Sequence, residues 1–388
     1  MSRIDPGFAN EIKKYGAKDF NACFNCGNCT ATCNLSDNNN AFPRKLIRFS
    51  TLGLRDELHT SLAPWLCYYC GDCSISCPRN ANPGDLMMAL RRYLSASYDW
   101  TGLAKKFYTS KVAEFIAIIS LSLFILILFI FFHGPMTSEL TSEGGVQLNT
   151  FAPWKSIEAG DWLMAGFLSF FLLSNILNMY YNVIWKRKDL KIPFKLYFTE
   201  FGRLVFHFFS QWRFSDCESE HTSFFSKLKQ GKYNYWVVHF LLMTSYVTLF
   251  IMIFGFLYWF QTDEIHPWWH PQRMLGYYAT FGLLFGTVYF FYLRIMKQNE
   301  KSKHSHYTDW TFLILLFLTT LTGILVHLFR INGLPSATYI TYVIHMMILV
   351  PMLMIEVPFS KWSHLAYRPF AIYFSSIIDA SNKLPKKM

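Results

Sequence analysis

Apolar and polar positions divide the chain into two kinds of sequence. Residues 1–111 mix polar and apolar side chains, whereas six later stretches each run for roughly 20 mainly apolar residues, the length that a helix needs to cross a bilayer. Tryptophan and tyrosine gather at the ends of these stretches, as they do at a membrane interface. The pattern predicts six transmembrane helices, at about residues 112–132, 162–184, 235–260, 274–296, 310–330 and 337–358.

Two further stretches mix aromatic with charged residues. Residues 194–212 and 361–379 have this composition, which is typical of helices that lie along a membrane surface, although an ordered loop is the alternative. We therefore expect an all-α protein in three parts. These parts are a helical domain over 1–111, a six-helix membrane domain over 112–360 with a surface helix at about 194–212, and an interfacial tail over 361–388.

The composition agrees with a membrane protein. Hydrophobic residues make up 52% of the 388 residues and charged residues 16%, whereas ordinary soluble domains carry about 25% charge. These values argue against a disordered chain, a collagen-like repeat or a small disulfide-bonded scaffold. The first residues also lack the apolar core of an export signal.

The net charge of +11 would suit either nucleic acid or a membrane surface, and its distribution decides between them. All but three of the 36 Lys and Arg residues lie on one side of the predicted membrane, in segments 1–111, 185–232, 294–303 and 359–388. The exceptions are Lys155, Arg273 and Arg330. By the positive-inside rule the basic side faces the cytoplasm. We therefore expect a multi-pass protein of the inner (cytoplasmic) membrane, with both termini cytoplasmic and no nucleic-acid partner.

Eight of the nine cysteines form two runs of the same spacing near the start of the chain. Each run is C-x2-C-x2-C-x3-C, a spacing in which three thiolates on one turn hold one 4Fe–4S cluster and the fourth reaches the neighbouring cluster. Gly27 and Gly71 supply the backbone freedom for the two turns. The spacing predicts one cluster on Cys23, Cys26, Cys29 and Cys77, and a second on Cys67, Cys70, Cys73 and Cys33.

Structural zinc and disulfide bonds are the alternatives for these cysteines. Zinc sites use pairs of Cys-x2–4-Cys rather than a tandem of four, and disulfides do not persist in a reducing cytoplasm. Asn34 stands where proline often follows the fourth cysteine, which weakens the first run slightly. Cys217 lies outside both runs and is expected to be a free cytoplasmic thiol.

The residues around the cysteine runs have helical patterns that begin at proline. The two stretches are FPRKLIRFSTLGLRDEL and PGDLMMALRRYL. They predict a helical two-cluster ferredoxin domain, similar to the electron-entry domains of succinate dehydrogenase iron–sulfur subunits, rather than a compact β-hairpin ferredoxin.

Four histidines fall inside or beside the predicted membrane helices, where ionisable groups are costly and point to function. At about 1.5 Å of rise per residue, His239 and His364 lie near the inner face, and His327 and His345 lie towards the outer face. Two pairs at two depths predict two b-type haems with bis-histidine ligation: His239 with His364 inside, and His327 with His345 outside. The alternative is that these histidines hydrogen-bond to the backbone or to each other.

Six other histidines are expected to have different roles. His207, on the predicted surface helix, is a candidate for a quinone site or for a ligand role. Five are expected to be interfacial or solvated: His133, His266 and His270 beside Trp or Pro at the outer interface, and His304 and His306 in a polar loop.

The combined pattern resembles the C subunit of the quinone-interacting membrane-bound oxidoreductase complexes. That protein is similar to a fusion of two heterodisulfide reductase parts, the iron–sulfur C subunit and the E subunit, which is a membrane cytochrome b. The resemblance covers nearly the whole chain. It rests on the two cysteine runs, FPRKLIRFSTLGLRDEL, WLCYYCGDCSISCP, the FSDC before the third membrane helix, and HMMILVPMLMIEVPFSKWSH.

The last of these segments also resembles the gamma subunit of respiratory nitrate reductase, in which one helix carries a ligand for each haem. His345 and His364 fall on those positions, one residue further apart than in that family, and Pro351 and Pro358 could kink the helix and absorb the difference. His239 falls on that family's inner-haem ligand. The second ligand expected ten residues later is absent because Leu249 stands there, which is why His327 is assigned to the outer haem.

The resemblance implies an electron-transfer subunit of a quinone oxidoreductase complex. Menaquinol from the membrane quinone pool would be oxidised, and electrons would pass through two b haems and two 4Fe–4S clusters to two soluble flavin- and iron–sulfur-containing subunits that serve adenylylsulfate reductase. In a sulfur oxidiser the direction would reverse. The quinone site has no motif, and His207 and Glu356 are its candidates.

Two other functions fit parts of the pattern. A heterodisulfide reductase-type or sulfite reductase-linked membrane subunit belongs to the same class. A transporter or passive anchor with a redox-sensing domain belongs to another class; it would need inverted repeats or broken helices, and the six predicted helices show no internal repeat.

Overall fold

The computed structural model describes residues 3–37, 40–211, 234–297 and 300–383. About 74% of the chain is helical, and the described residues contain no β-strand. The predicted all-α fold is therefore confirmed. Trp212, at the predicted end of the surface helix, and Cys217, the predicted free thiol, lie outside the described residues.

The segment before the membrane helices consists of short helices and one long helix. The short helices carry and support the two cysteine runs, and the long helix Pro83–Tyr98 has nearly every side chain buried. The short helices are Phe8–Lys13, Phe20–Ala22, Asn28–Thr32, Arg44–Leu52, Arg55–His59, Ala63–Leu66, Asp72–Ile75 and Leu103–Thr109.

The helix predicted between the cysteine runs is divided in two. Helix Arg44–Leu52 begins after Pro43 and ends at Gly53, which adopts a left-handed φ of +71°. A side chain at position 53 would also collide with the backbone of Asp5, since a Cβ there would stand 2.1 Å from the Asp5 carbonyl oxygen. The chain turns at this glycine and continues as Arg55–His59.

Six helices are long and apolar enough to cross a membrane, as predicted. We call them spans 1 to 6. Their bounds are Lys111–Phe132, Trp154–Trp185, Tyr235–Phe260, Pro271–Met296, Tyr307–Ile331 and Pro335–Phe359. Shorter helices at Leu148–Phe151 and Glu300–Lys303 occupy two of the loops.

Among the described residues, three spans depart from regular α-helix. Span 3 is kinked at Phe256, whose φ of −141° and ψ of 30° are not helical. Span 2 begins eight residues before its predicted start, because Pro153 precedes its first turn, and it ends in a π-helical turn at Tyr181–Trp185. Span 6 is α-helical from Pro335 to Pro351, then forms a π-helical turn at Met352–Glu356 and a last short turn at Val357–Phe359. A π-turn holds one more residue than the α-turn it replaces.

The surface and C-terminal stretches are also helical. Helices Phe194–Thr199 and Phe201–Ser210 expose several phenylalanines, as expected of helices at a membrane surface. The C-terminal helix His364–Asn382 is more enclosed, because it packs against Ala63–Leu66 as well as Phe201–Ser210. The N-terminal segment and the C-terminal helix therefore meet at one end of the helix bundle. We call this the domain end, and the other the far end.

A buried ion cluster joins the N-terminal segment to the bundle. Asp309, on the first turn of span 5, is 4% exposed and forms salt bridges with three cations. Its oxygens lie 3.2 Å from Arg92 of the long helix, 2.5 Å from Lys361 and 3.9 Å from Arg294. Arg92 also donates to the Tyr15 carbonyl at 2.7 Å. One carboxylate thus holds the long helix, span 4 and the chain after span 6 together.

Replacing Asp309 should loosen this junction. In Asp309→Asn, the buried Arg92 and the half-buried Arg294 and Lys361 lose their common partner, and breaking a buried pair such as the one with Arg92 costs about 3–5 kcal/mol. We expect a lower midpoint of thermal unfolding in detergent and faster proteolysis of the N-terminal segment. The control is Asp189→Asn, which breaks the exposed 2.6 Å pair with Arg187 and should cost under about 1 kcal/mol. Equal midpoints for the two variants would contradict the role given to Asp309.

Candidate functional site

Four cysteines from both runs surround one hollow in the N-terminal segment. Cys23, Cys26, Cys29 and Cys77 line it, together with Arg44 and Arg79. This is the set that the spacing predicts for the first cluster. The two guanidinium groups suit an anionic occupant, since a cluster held by four thiolates carries negative charge.

The two runs have the same backbone conformation. Gly27 and Gly71 have left-handed φ values of +95° and +96°, and each precedes a short helix. Two residues before each glycine, the amides of Asn25 and Tyr69 donate to the first cysteine sulfur of their run, at 3.4 Å to Cys23 and 3.3 Å to Cys67. Such hydrogen bonds stabilise thiolate ligands. The repeated spacing therefore produces a repeated ligand turn.

Cysteines of both groups lie close enough to affect one another. Burial raises the pKa of Cys33 to about 11, and Cys67, Cys70 and Cys29 add to the rise. Burial also raises the pKa of Cys29, whose cysteine neighbours are Cys23, Cys26 and Cys77. Buried thiols of this kind become thiolates when a metal's charge offsets the cost of burial, so metal binding releases protons.

Among the described residues, no three His, Cys, Asp or Glu side chains converge on one metal-ion position. In a 4Fe–4S cluster, each cysteine binds a different iron.

Hydrogen bonds place the second cysteine group, which is Cys67, Cys70, Cys73 and Cys33, next to the bundle. The Cys67 carbonyl accepts hydrogen bonds from Arg91 and, at 2.9 Å, from Arg368 of the C-terminal helix. Each group has one buried cysteine, since Cys29 and Cys67 are both 7% exposed, and the first group reaches the surface at Cys26.

A cavity at the domain end contains two of the predicted membrane histidines. His239 of span 3 and His364 line it together, and it encloses about 1450 Å³ including its open mouth. The His364 Nδ1 lies 2.7 Å from the Lys361 carbonyl, to which it donates, and burial lowers the pKa of His364 to about 3. The neutral ring therefore keeps its Nε2 lone pair for a ligand, the arrangement typical of metal-binding histidines.

The lining of the domain-end cavity is strongly cationic. Among the described residues that line this cavity, Asp309 is the one acidic side chain and six side chains are basic. The basic residues are Arg91, Arg92, Arg294, Lys301, Lys361 and Arg368.

A second cavity, nearer the far end, contains the other two histidines. His327 and His345 line it, and it encloses about 1470 Å³. The Thr322 hydroxyl donates to the Leu318 carbonyl, so it accepts from His345 Nδ1 at 2.9 Å and leaves Nε2 free. Gly323 makes room beside this ring, because a Cβ there would stand 3.2 Å from His345 Cε1.

His327 differs from His345 because both of its ring nitrogens have partners. Arg273 donates to Nδ1 at 2.9 Å, and the Tyr277 hydroxyl lies 3.0 Å from Nε2. To bind a metal, His327 must give up one of these contacts. Its role as an outer-haem ligand stays a prediction.

The structure brings other predicted residues to separate places. His207 is buried and lines a side hollow with His239 and His364. Glu356, in contrast, faces Glu114 of span 1. At the far end, His266 and His270 stack with ring centroids 3.9 Å apart.

The prediction that His306 is solvated is wrong, whereas His304 is half-buried. The His306 ring accepts a hydrogen bond from the Thr308 amide, Asp309 accepts from the His306 amide, and burial lowers the pKa of His306 to about 3. His306 therefore caps span 5, and His304 lines the domain-end cavity. The acidic residue three positions after His306, just before an apolar run, is the sequence signal for such a cap.

Comparisons with known proteins concern the cysteine-bearing segment. Residues 19–81 match the family described as 4Fe-4S dicluster domain. A protein of Archaeoglobus profundus, named as similar to the C subunit of heterodisulfide reductase, is 36% identical over 104 residues, which cover 26% of this chain and 55% of that protein. The C subunit of the H(2):CoB-CoM heterodisulfide,ferredoxin reductase of Methanothermobacter thermautotrophicus is 34% identical over 88 residues, or 23% and 48% of the two chains.

A third relative is the C subunit of the ferredoxin:CoB-CoM heterodisulfide reductase of Methanosarcina acetivorans, which is 33% identical over 70 residues, or 18% of this chain and 28% of that protein. The chain spans about half the length of the first relatives. No solved structure matches. The chain therefore contains a 4Fe–4S dicluster domain similar to the heterodisulfide reductase C subunit.

Single cysteine variants should separate the two groups. If Cys33 serves the second cluster, Cys33→Ala removes the same electron paramagnetic resonance signal as Cys70→Ala and lowers iron and acid-labile sulfide by about half. By the same assignment, Cys77→Ala matches Cys26→Ala. Ser76→Ala, beside Cys77, should keep both signals. A Cys33→Ala spectrum that matches Cys26→Ala would instead put each run of four on its own cluster.

Proposed function

We propose that this chain is the membrane subunit of a quinone-linked oxidoreductase complex. It transfers electrons between menaquinone or menaquinol and soluble flavin- and iron–sulfur-containing subunits, by way of two b haems and two 4Fe–4S clusters. The complex serves adenylylsulfate reductase in dissimilatory sulfur metabolism. The membrane is the inner (cytoplasmic) membrane, with the domain end in the cytoplasm.

One observation carries the proposal: the candidate sites follow one another from the far end to the solvent. The far-end cavity with His327 and His345 comes first, and the domain-end cavity with His239 and His364 follows. The second cysteine group, which includes Cys67, lies next to this domain-end cavity, and the first group, which includes the exposed Cys26, lies beyond it. When bound, haems and clusters at these sites would supply four one-electron carriers in series.

Arg368 connects two successive sites in this series. It lines the domain-end cavity, and it donates to the carbonyl of Cys67 at 2.9 Å. Trp65 and Tyr367 pack next to Arg368 and Cys67, with ring centroids 5.1 Å apart, which fixes the C-terminal helix against the second cysteine group. Arg368 thereby holds the proposed inner haem ligand His364 and the proposed cluster ligand Cys67 in one rigid unit.

The linings of both cavities fit a haem, which carries two propionate carboxylates. At the domain end, the excess of Arg and Lys over Asp309 provides cationic partners. At the far end, Arg273 is 8% exposed, and its Nε and Nη2 atoms have no hydrogen-bond partner among the described residues. An anionic group in that cavity would satisfy them.

The irregular turn in span 6 supports one helix serving both cavities. His345 and His364 are one residue further apart than in the nitrate reductase gamma pattern, and the π-turn at Met352–Glu356 between them adds one residue to the helix. Span 6 and the turn after it can therefore point one histidine into each cavity despite the longer spacing.

A heterodisulfide reductase-type subunit, or a sulfite reductase-linked one, is the alternative. The relatives of the dicluster domain are named for heterodisulfide reductase, which favours the first of these. The main proposal and both alternatives share the proposed electron carriers and differ in the soluble partners. Purification in mild detergent, with identification of the proteins that copurify, distinguishes these functions. Copurification of adenylylsulfate reductase and two flavoproteins would support the main proposal.

Haem content tests the histidine assignments. The purified protein should show a b-type band in its reduced-minus-oxidised optical spectrum, with two haems per chain. His364→Ala and His345→Ala should each lower the haem content by about half, because a b haem with one axial ligand removed is poorly held. His133→Ala, an exposed histidine at the far end, is the control and should keep both. Absence of any b-type band would refute the proposed function.

A further inference from the structure

Two buried carboxylates face each other near the domain end of the bundle, outside both proposed haem cavities. Glu114 lies in the first turn of span 1 and is 2% exposed, and Glu356 ends the π-turn of span 6 and is fully buried. Neither the cysteine groups nor the four membrane histidines use them. Ionisable groups at such positions are costly, which makes this pair a functional candidate.

The two carboxylates differ in their partners. Glu114 accepts hydrogen bonds at 3.2 Å from Thr311 of span 5 and at 3.2 Å from Ser360. Within the described part of the chain, neither oxygen of Glu356 has a hydrogen-bond partner, although Glu114 and Ser360 are its polar neighbours. Two carboxylates that face each other away from water cannot both ionise at low cost, so the pair holds at least one proton.

A groove connects Glu114 with the outside of the bundle. It lies between spans 1 and 5, with Val112 and Phe115 exposed at its rim and Glu114 at its base. Lys111 and Tyr307 stand at its domain-end edge, where the Lys111 ammonium lies 5.5 Å from the centre of the Tyr307 ring. The groove is mostly apolar, but it reaches Glu114 from the outside of the bundle, with Lys111, Tyr307 and Thr311 as its other polar residues.

We propose that Glu114 and Glu356 form a proton-exchange site for the quinone chemistry of this protein. The inference rests on the proposed function. Oxidation of a hydroquinone to a quinone releases two electrons and two protons; the electrons enter the one-electron carriers, and the pair accepts the protons one at a time. Each proton converts the singly protonated pair to the doubly protonated pair and then leaves to water through the groove. Reduction of a quinone runs the same steps backwards.

The chain beyond the pair connects it with the proposed inner haem site. Ser360 donates to Glu114, its carbonyl accepts from the Ser363 amide at 3.2 Å, and His364 donates to the carbonyl of Lys361. Ser360 and Lys361 are adjacent in the chain, so the segment that contacts Glu114 also contacts His364.

Other charged or titratable groups face the pair from every neighbouring element. Asp309 of span 5 and Tyr108 of helix Leu103–Thr109 act on it from the protein side. Tyr307 and Lys111 act on it from the groove, and Lys361 presents its backbone to Glu356. Among these three carboxylates, Asp309 is already paired with three cations, whereas Glu114 and Glu356 form no salt bridge among the described residues.

Infrared spectroscopy of the full chain in detergent tests the pair without using activity. The wild type should show the carbonyl stretching band of a buried protonated carboxyl at neutral pH, and the band should shift in D2O because the groove admits exchange. Glu356→Gln should remove the band. Thr311→Val, which deletes the hydroxyl that donates to Glu114 with little change of shape, should displace it and keeps the test available if Glu356→Gln folds poorly.

Proton uptake on chemical reduction gives a second readout. A pH-indicator dye should report at least about twofold less uptake per electron in Glu356→Gln than in the wild type, because the pair is the group that exchanges the proton. Glu139→Gln, an exposed far-end carboxylate, should match the wild type. A band and an uptake that are the same in all these proteins would overturn the proton-exchange site. A protein that lacks haem but shows the Glu356-dependent band would refute the proposed function and still support the pair.

Discussion

The architecture depends on the buried carboxylate of Asp309. Its salt bridges to Arg92, Arg294 and Lys361 join the N-terminal segment, span 4 and the chain after span 6 in one place. The Arg368 contact with the Cys67 carbonyl and the positions of His239 and His364 all follow from this junction. If the dicluster domain were free to rotate on the bundle, the second cysteine group would have no fixed distance to the domain-end cavity.

Positive charge inside the bundle is the second constraint. Burying guanidinium and ammonium groups in a membrane protein is costly unless they meet negative charge. The domain-end cavity nevertheless holds six basic side chains around Asp309, and two nitrogens of Arg273 in the far-end cavity find no partner among the residues that the structure describes. Such linings make physical sense if anionic groups occupy the cavities, and the propionates of the proposed haems would be such groups.

Much of the fold could be predicted from the sequence because its signals are local. Apolar stretches of bilayer length predicted all six spans, and the spacing of the cysteines predicted the dicluster domain. The break at Gly53 was missed, and position 53 lies against the backbone of the distant Asp5. The cap at His306 was missed although it has a local signal in Asp309, and the π-turn before Val357 was missed as well. The pairing of Glu114 with Glu356 was also beyond reach, because it joins the first span to the last.

Span 6 is the element on which the proposed chemistry converges. It carries His345 to the far-end cavity and leads directly to His364 at the domain-end cavity, and Glu356 lies between them in the π-turn. A regular helix would turn Glu356 to a different face, whereas the extra residue of the π-turn directs it towards Glu114. Span 6 therefore contributes to the far-end cavity and to the carboxylate pair, and the turn after it contributes to the domain-end cavity.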